Sequence, residues 1–278
     1  MPNSYKPRSY SMLRTSLIGI VMLLFFTTTS FAASEGVPIP PDQGKYSLGL
    51  EYNRIFVKDL KPKDFGSYRS MKINSSDQVY VVPSYGVYQG ERFKVGVLGK
   101  VGIADLKIKG EDPVSNVEKI DYDMGFLWGL GSKASYNFEN NLTLSLGVQY
   151  NAWYSDLDQA NYRDQLSNNI TKRANASVSE FQAAILLSAV FKQPGREDIS
   201  YTPYIGPSFS EVKLDTGTIS YTTASSGRTG IQTGASADQH VGVTVGVDVL
   251  TVSDTLRINA ELRFITETAF SLSVHYKF

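Results

Sequence analysis

The chain closes on TAFSLSVHYKF, residues 268–278, and its side chains alternate in kind up to the last residue. Phe270, Leu272, Val274, Tyr276 and Phe278 share one parity, while Ser271, Ser273, His275 and Lys277 share the other. Successive side chains of an extended strand point to opposite faces, so this spacing predicts a strand with one apolar and one polar face. What each face meets decides the fold.

The same period recurs along the chain. YSLGLEY (46–52) sets Tyr46, Leu48, Leu50 and Tyr52 against Ser47, Gly49 and Glu51. LTLSLGVQYNAWY (142–154) sets Leu142, Leu144, Leu146, Val148, Tyr150 and Tyr154 against Thr143, Ser145, Gly147, Gln149 and Asn151. Runs of this type also occupy 78–88, 93–103, 124–138, 241–249 and 256–264, which reads as a series of half-buried strands. FQAAILLSAVF (181–191) alternates less cleanly and reads as a strand, with a short buried helix as the alternative. SYTPYIGPSFS (200–210) carries Pro203 and Pro207, each lacking a backbone donor, and makes the weakest strand of the set.

About ten strands result, with eight or twelve as alternatives, and their connections alternate in length. The segments near 57–77, 105–121, 155–177 and 211–237 read as long polar loops; those near 89–91, 139–141, 192–198 and 251–254 are short, as is the connection near Thr266. If neighbours are antiparallel, long connections emerge at one end and short turns at the other. The polar parity is rich in glycine and serine with scattered charges, whereas the apolar parity is rich in valine, leucine and aromatics. A membrane barrel shows its apolar set to lipid and its polar set to the lumen, with short turns at one rim and longer loops at the other. Closure also pairs every backbone donor and acceptor where water cannot. The expected fold is therefore all-β, an antiparallel transmembrane β-barrel. Of the seventeen tyrosines, Tyr46, Tyr52, Tyr85, Tyr136, Tyr150, Tyr154 and Tyr276 lie near strand ends on the apolar parity, where interfacial girdles occur.

On these features the chain resembles the outer-membrane β-barrel proteins of Gram-negative bacteria, over roughly residues 45–278. The closing Phe270, Leu272, Val274, Tyr276 and Phe278 resemble the carboxy-terminal signal that the barrel-assembly machinery of that class recognises, which implies that machinery and outer-membrane lipid as partners. The amino terminus fits export: Lys6, Arg8 and Arg14 precede the apolar run Leu17–Phe26 and the small residues that follow, the pattern of a secretory signal peptide over 1–32. Residues 33–44, rich in proline and small residues, read as a flexible lead-in to a barrel over 45–278. Without residues 1–32 the formal charge falls from 0 to about −3, which speaks against nucleic acid as a partner. The absence of cysteine excludes disulfides and thiolate chemistry.

The polar parity assigns Glu51, Lys94, Lys100, Asp123, Lys133, Asp248, Arg257, Glu261, Arg263 and Lys277 to the lumen, with Asp248 and Arg257 as cross-strand partners. The frequent glycines of that face argue for free space inside. Two roles stay open: a narrow, porin-like polar passage for small solutes, or a plugged structural surface barrel that displays its loops, with loop-mediated adhesion to extracellular ligands as a further alternative. Asp121 and Asp123, with Asp238 and His240, are similar to the Asp-x-Asp and Asp-x-His couples of the omptin proteases, which would make them a water-activating group. Two three-residue patterns carry little weight, so a non-enzymatic protein is expected. His240 and His275 are too few and too distant for a metal site, and no cofactor motif is present.

Overall fold

The computed structural model describes residues 39–62, 70–111, 117–139, 141–162, 165–166, 169–172, 175–193, 196–223, 226–251, 255–265 and 267–278. No helix occurs among them. The strands are β1 (Tyr46–Pro62), β2 (Ser70–Gln89), β3 (Phe93–Glu111), β4 (Val117–Asn137), β5 (Leu142–Tyr162), the short β6 (Gln165–Leu166) and β7 (Asn169–Lys172), β8 (Asn175–Ala189), the short β9 (Phe191–Gln193), β10 (Arg196–Thr223), β11 (Ser226–Ala237), β12 (Val241–Thr251), β13 (Leu256–Phe264) and β14 (Thr268–Lys277). Ten of them form a closed antiparallel barrel in the order β1-β14-β13-β12-β10-β8-β5-β4-β3-β2, with β2 returning to β1. FQAAILLSAVF lies in β8 up to Ala189, with Phe191 opening β9, and SYTPYIGPSFS lies in β10. β10 accommodates its prolines by pointing Pro203 and Pro207 outward, and its ladder with β8 skips from Ile205↔Leu187 to Ser208↔Ala184.

The outside carries the grease. Leu48, Leu50, Val81, Val101, Ile103, Leu130, Leu146, Ile185, Leu187, Ile205 and Val274 are each exposed by 42% or more, and their polar neighbours in sequence face inward. Phe270 is half-buried, and Leu272, Tyr276 and Phe278 are exposed on the same outer surface. A belt of this size facing water would be untenable for a monomer; hydrocarbon is the solvent it fits.

The wall rises well beyond that belt. The segments expected as long polar loops are, among the described residues, mostly strand: β1 and β2 extend over 57–62 and 70–77, β3 and β4 over 105–111 and 117–121, β5 to Tyr162, and β10 with β11 over 211–223 and 226–237. At about 3.3 Å per residue and a tilt near 40°, the 21 residues of β4 or β5 stand roughly 50 Å tall, about twice a barrel's apolar belt. The polar composition that suggested loops belongs to the outer surface of this extension.

Not all strands rise. β12, β13 and β14 have only 11, 9 and 10 residues. Above them, β11 bridges the gap, pairing with β10 through Lys213↔Ser236 and Leu214↔Ala235 and with β1 through Leu60↔Ala237 and Lys61↔Ser236. The ring thus narrows from ten strands at the short-turn end to eight at the tall end, in the order β1-β2-β3-β4-β5-β8-β10-β11.

Candidate functional site

The interior is the candidate site, and it is layered. At the short-turn end a cavity of about 240 Å³ is lined by Lys94, Lys100, Lys133, Arg257 and Lys277, by the carboxylates of Asp42 and Glu51, and by His275, Ser47 and Ser84. Lys100 Nζ lies 3.0 Å from Glu51 Oε1, both side chains almost fully buried. Lys100 also lies over the Tyr80 ring, 5.0 Å from its centroid. Arg257 Nε lies 3.2 Å from Asp248 Oδ2. Because Leu250 stands opposite Arg257 and Asn259 opposite Asp248, this pair is diagonal across the β12–β13 ladder.

Residues 39–44 close the mouth of this cavity. This stretch reads from the sequence as part of a flexible lead-in; residues 39–42 pack inside the barrel end, with Pro40 buried, and Gln43 and Gly44 are exposed at its rim. Asp42 accepts hydrogen bonds from Lys94, at 2.6 Å, and from Lys277. Arg257 donates to the Ile39 carbonyl at 2.9 Å, and Gly44 N–H to the Gly86 carbonyl at 2.9 Å. Burial works to raise the Asp42 pKa, but the hydrogen bonds and charges of Lys277 and Lys94 outweigh it, so the carboxyl is lowered to about 2.

Halfway up, a charged layer crosses the lumen. Lys58 Nζ donates to Glu267 Oε2 at 2.7 Å, Glu180 Oε1 at 3.1 Å and Ser210 Oγ at 2.7 Å, with all three charged side chains at or below 1% exposure. Arg263 lies 3.6 Å from Glu267 and 3.8 Å from Glu261, and the Tyr204 hydroxyl donates to Glu261 at 2.8 Å. Asn53, Gln78 and Tyr80, and Gln149 with Gln182, form side-chain hydrogen bonds beside this layer. Buried charges persist only when paired, and these partners come from β1, β8, β10 and β13 and from Glu267, just before β14. Glycines here serve neighbours more than free space: a Cβ on Gly246 would stand 2.2 Å from the Tyr204 ring.

Above the charges the lumen is mainly apolar. Leu106, Ile108, Trp153 and Leu214 belong to a cluster of buried side chains that packs the eight-stranded section and reaches down one wall through Ile73 and Ile55 to Tyr80 and Val82. An interior of eight strands is about as wide as side chains can fill, so narrowing and sealing go together.

Most residues that the alternation assigned to the lumen lie on the inner face: Glu51, Lys100, Asp248, Glu261 and Arg263 are buried, and Lys94, Lys133, Arg257 and Lys277 are half-buried around the cavity. Asp123 is the exception. β4 is bulged between Tyr122 and Phe126, so inward parity passes from Leu127 to Tyr122 and leaves Asp123 exposed outside. Asp121 likewise alternates with the inward Ile120 and Tyr122 and faces outward, opposite Lys107 and Gln159. Asp238 and His240 are exposed at the break between β11 and β12, where the His240 ring stacks on Phe209 at 5.7 Å. In the eight-membered ring β4 and β11 stand four places apart, so the packed barrel separates the two couples. Neither His240 nor His275 belongs to a metal-binding group among the described residues.

Sequence reasoning missed Lys58, Glu180, Glu267 and Asp42. Lys58 follows a bulge between Ile55 and Val57 that moves the inward parity of β1 from odd to even. Glu180 shares the inward parity of Gln182 and was legible by extending that strand backward.

No protein-family model matches the sequence, and no curated protein matches it. Among solved structures, the outer membrane protease OmpT from Escherichia coli is similar, with a TM-score of 0.52 and 10% identity over 88% of this chain and 100% of that one. The translocator domain of the autotransporter NalP from Neisseria meningitidis gives 0.42 and 10% over 96% and 95%. The outer membrane protein OprG from Pseudomonas aeruginosa gives 0.40 and 11% over 86% and 98%. The likeness to OmpT is one of fold, and the fold of this chain is that of a Gram-negative outer-membrane β-barrel.

Proposed function

We propose that this chain is an integral outer-membrane protein with a structural, surface-presenting role: a sealed barrel that anchors a tall eight-stranded wall above the membrane. One observation carries the reading. The lumen is closed twice in series, by the buried Lys58, Glu180, Glu267 and Arg263 layer and by the apolar cluster around Trp153 and Leu106 above it. A solute path would have to break paired, desolvated charges and then cross a packed apolar core, each costing several kcal/mol. Between the two roles left open by the sequence, this favours presentation over passage. The tall rim faces outward, as long connections do in this barrel class, and the signal peptide over 1–32 and the terminal aromatic strand serve export and insertion. The role is non-enzymatic, since Asp121, Asp123, Asp238 and His240 do not converge.

The test is electrical. The full chain reconstituted into planar bilayers is expected to show no reproducible conductance steps; stable unitary steps would overturn the sealed-barrel reading. A parallel incubation with basic peptides is expected to give no cleavage, and cleavage that vanishes in His240→Ala would overturn the non-enzymatic one.

A further inference from the structure

The short-turn mouth is built around its plug. Gly86 and Gly96 leave the space that residues 40–42 occupy: a Cβ on Gly86 would stand 2.0 Å from the Asp42 carbonyl oxygen, and one on Gly96 would stand 2.8 Å from Pro40 Cβ. Backbone bonds fix the segment at Gly44, Lys45 and Gly86, and Gln43 and Gln89 exchange bonds between each side-chain oxygen and the other's main-chain N–H, at 3.2 and 3.3 Å. The charges behind it are uneven. Glu51 answers Lys100 and Asp248 answers Arg257, while the single carboxylate of Asp42 serves both Lys94 and Lys277. Five cations and two carboxylates line the cavity, and one of those carboxylates arrives on a segment outside the barrel strands. Asp42 is thus placed like a bound ligand, a carboxylate in a two-lysine cradle tethered by a proline-rich arm that loses little entropy on ordering.

We propose that the short-turn mouth is a binding site for small oxyanions, carboxylates or phosphates, formed by Lys94 and Lys277, and that the chain's own Asp42 occupies it as a tethered competitor. When residues 39–43 withdraw, the cavity opens toward the inner side of the membrane with its excess of positive charge uncovered. This does not rest on whether the barrel conducts.

The absence of cysteine makes the test direct. Ser84→Cys, and separately Ser47→Cys, places one thiol on the cavity wall of the full chain in liposomes or detergent. With Asp42 present, anionic and cationic methanethiosulfonate reagents are expected to react slowly. Adding Asp42→Asn is expected to speed the anionic reagent roughly tenfold relative to the cationic one, the order of enrichment a charged cleft produces. Millimolar inorganic phosphate then slows that reaction, and adding Lys94→Gln with Lys277→Gln removes the phosphate effect. Phosphorus NMR gives a second reading: line broadening of inorganic phosphate by the Asp42→Asn chain and none by the unsubstituted one. Equal acceleration of both reagents, no acceleration at either thiol, or no response to phosphate would each overturn the proposal.

Discussion

β5 is one strand in two solvents. Over its lower half Leu144, Leu146, Val148 and Tyr150 face outward and are exposed, while Thr143, Ser145, Gln149 and Asn151 are buried inside. A few residues on, the kinds change places without a break in the period: Trp153 and Leu157 are buried inside, and Asp156 and Asp158 are exposed outside. The lower barrel is inside-out as lipid demands, and the upper barrel is arranged like a water-soluble one. Period two fixes which residues share a face, and the surroundings fix which face holds the apolar set. The charged layer around Lys58 lies where the interior changes from polar to apolar.

This contrast can be broken by substitution. Trp153→Ala empties a fully buried site in the upper core and is expected to cost about 3–5 kcal/mol in denaturant unfolding of the refolded barrel. An unchanged unfolding midpoint would mean that the upper interior is not packed. Next comes a matched pair on the outward face of the same strand. Leu146→Arg, in the lipid belt, is expected to cost about 2–4 kcal/mol. Asp156→Arg, in the upper half, is expected to stay within about 0.5 kcal/mol. Equal costs for the two would erase the distinction between the halves. The smallest effect concerns the mouth. Lowering of the Asp42 pKa from 3.8 to about 2 means that its contribution is present above pH 4 and is lost as pH falls toward 2. The charges facing it across the cavity are Lys94, Lys277, Lys133 and Arg257, with Lys100, Glu51 and His275 deeper in. Hydrogen exchange at the Gly44 and Gly86 amides is expected to remain slow from pH 7 to 4 and to lose protection below that; constant protection down to pH 2 would show that the carboxylate does not hold the segment.

Much of the lower barrel was legible in the sequence, because alternation there sets valine and leucine against glycine, serine and charge. That contrast identified the ten wall strands, their outward faces and the Asp248–Arg257 pair. The upper wall was read as loops for two physical reasons. Its outward residues are polar, as in ADLKIKG at 104–110, where Ala104, Leu106 and Ile108 face in and Asp105, Lys107 and Lys109 face out. Bulges in β1, β2 and β4 also add residues that reverse parity, so an alternation followed from below misplaces Asp123 and passes over Lys58. The seat of Asp42 depends on contacts between the chain's beginning and its last strand, which no local pattern encodes.

β1 is shared between two partners at its outer edge: β14 holds its lower part, from Ser47↔Lys277 to Val57↔Thr268, and β11 holds its top, from Leu60↔Ala237 to Pro62↔Ala235. The seam that turns a sheet into a tube therefore has two fasteners drawn from different stretches of the chain. Each joins residues far apart in sequence, a kind of contact that forms slowly. The interruption at Asp238–His240 is where the chain passes from one side of that seam to the other: before it β11 clasps β1, and after it β12 turns to β13, so three residues divide the tall rim from the lipid-facing wall.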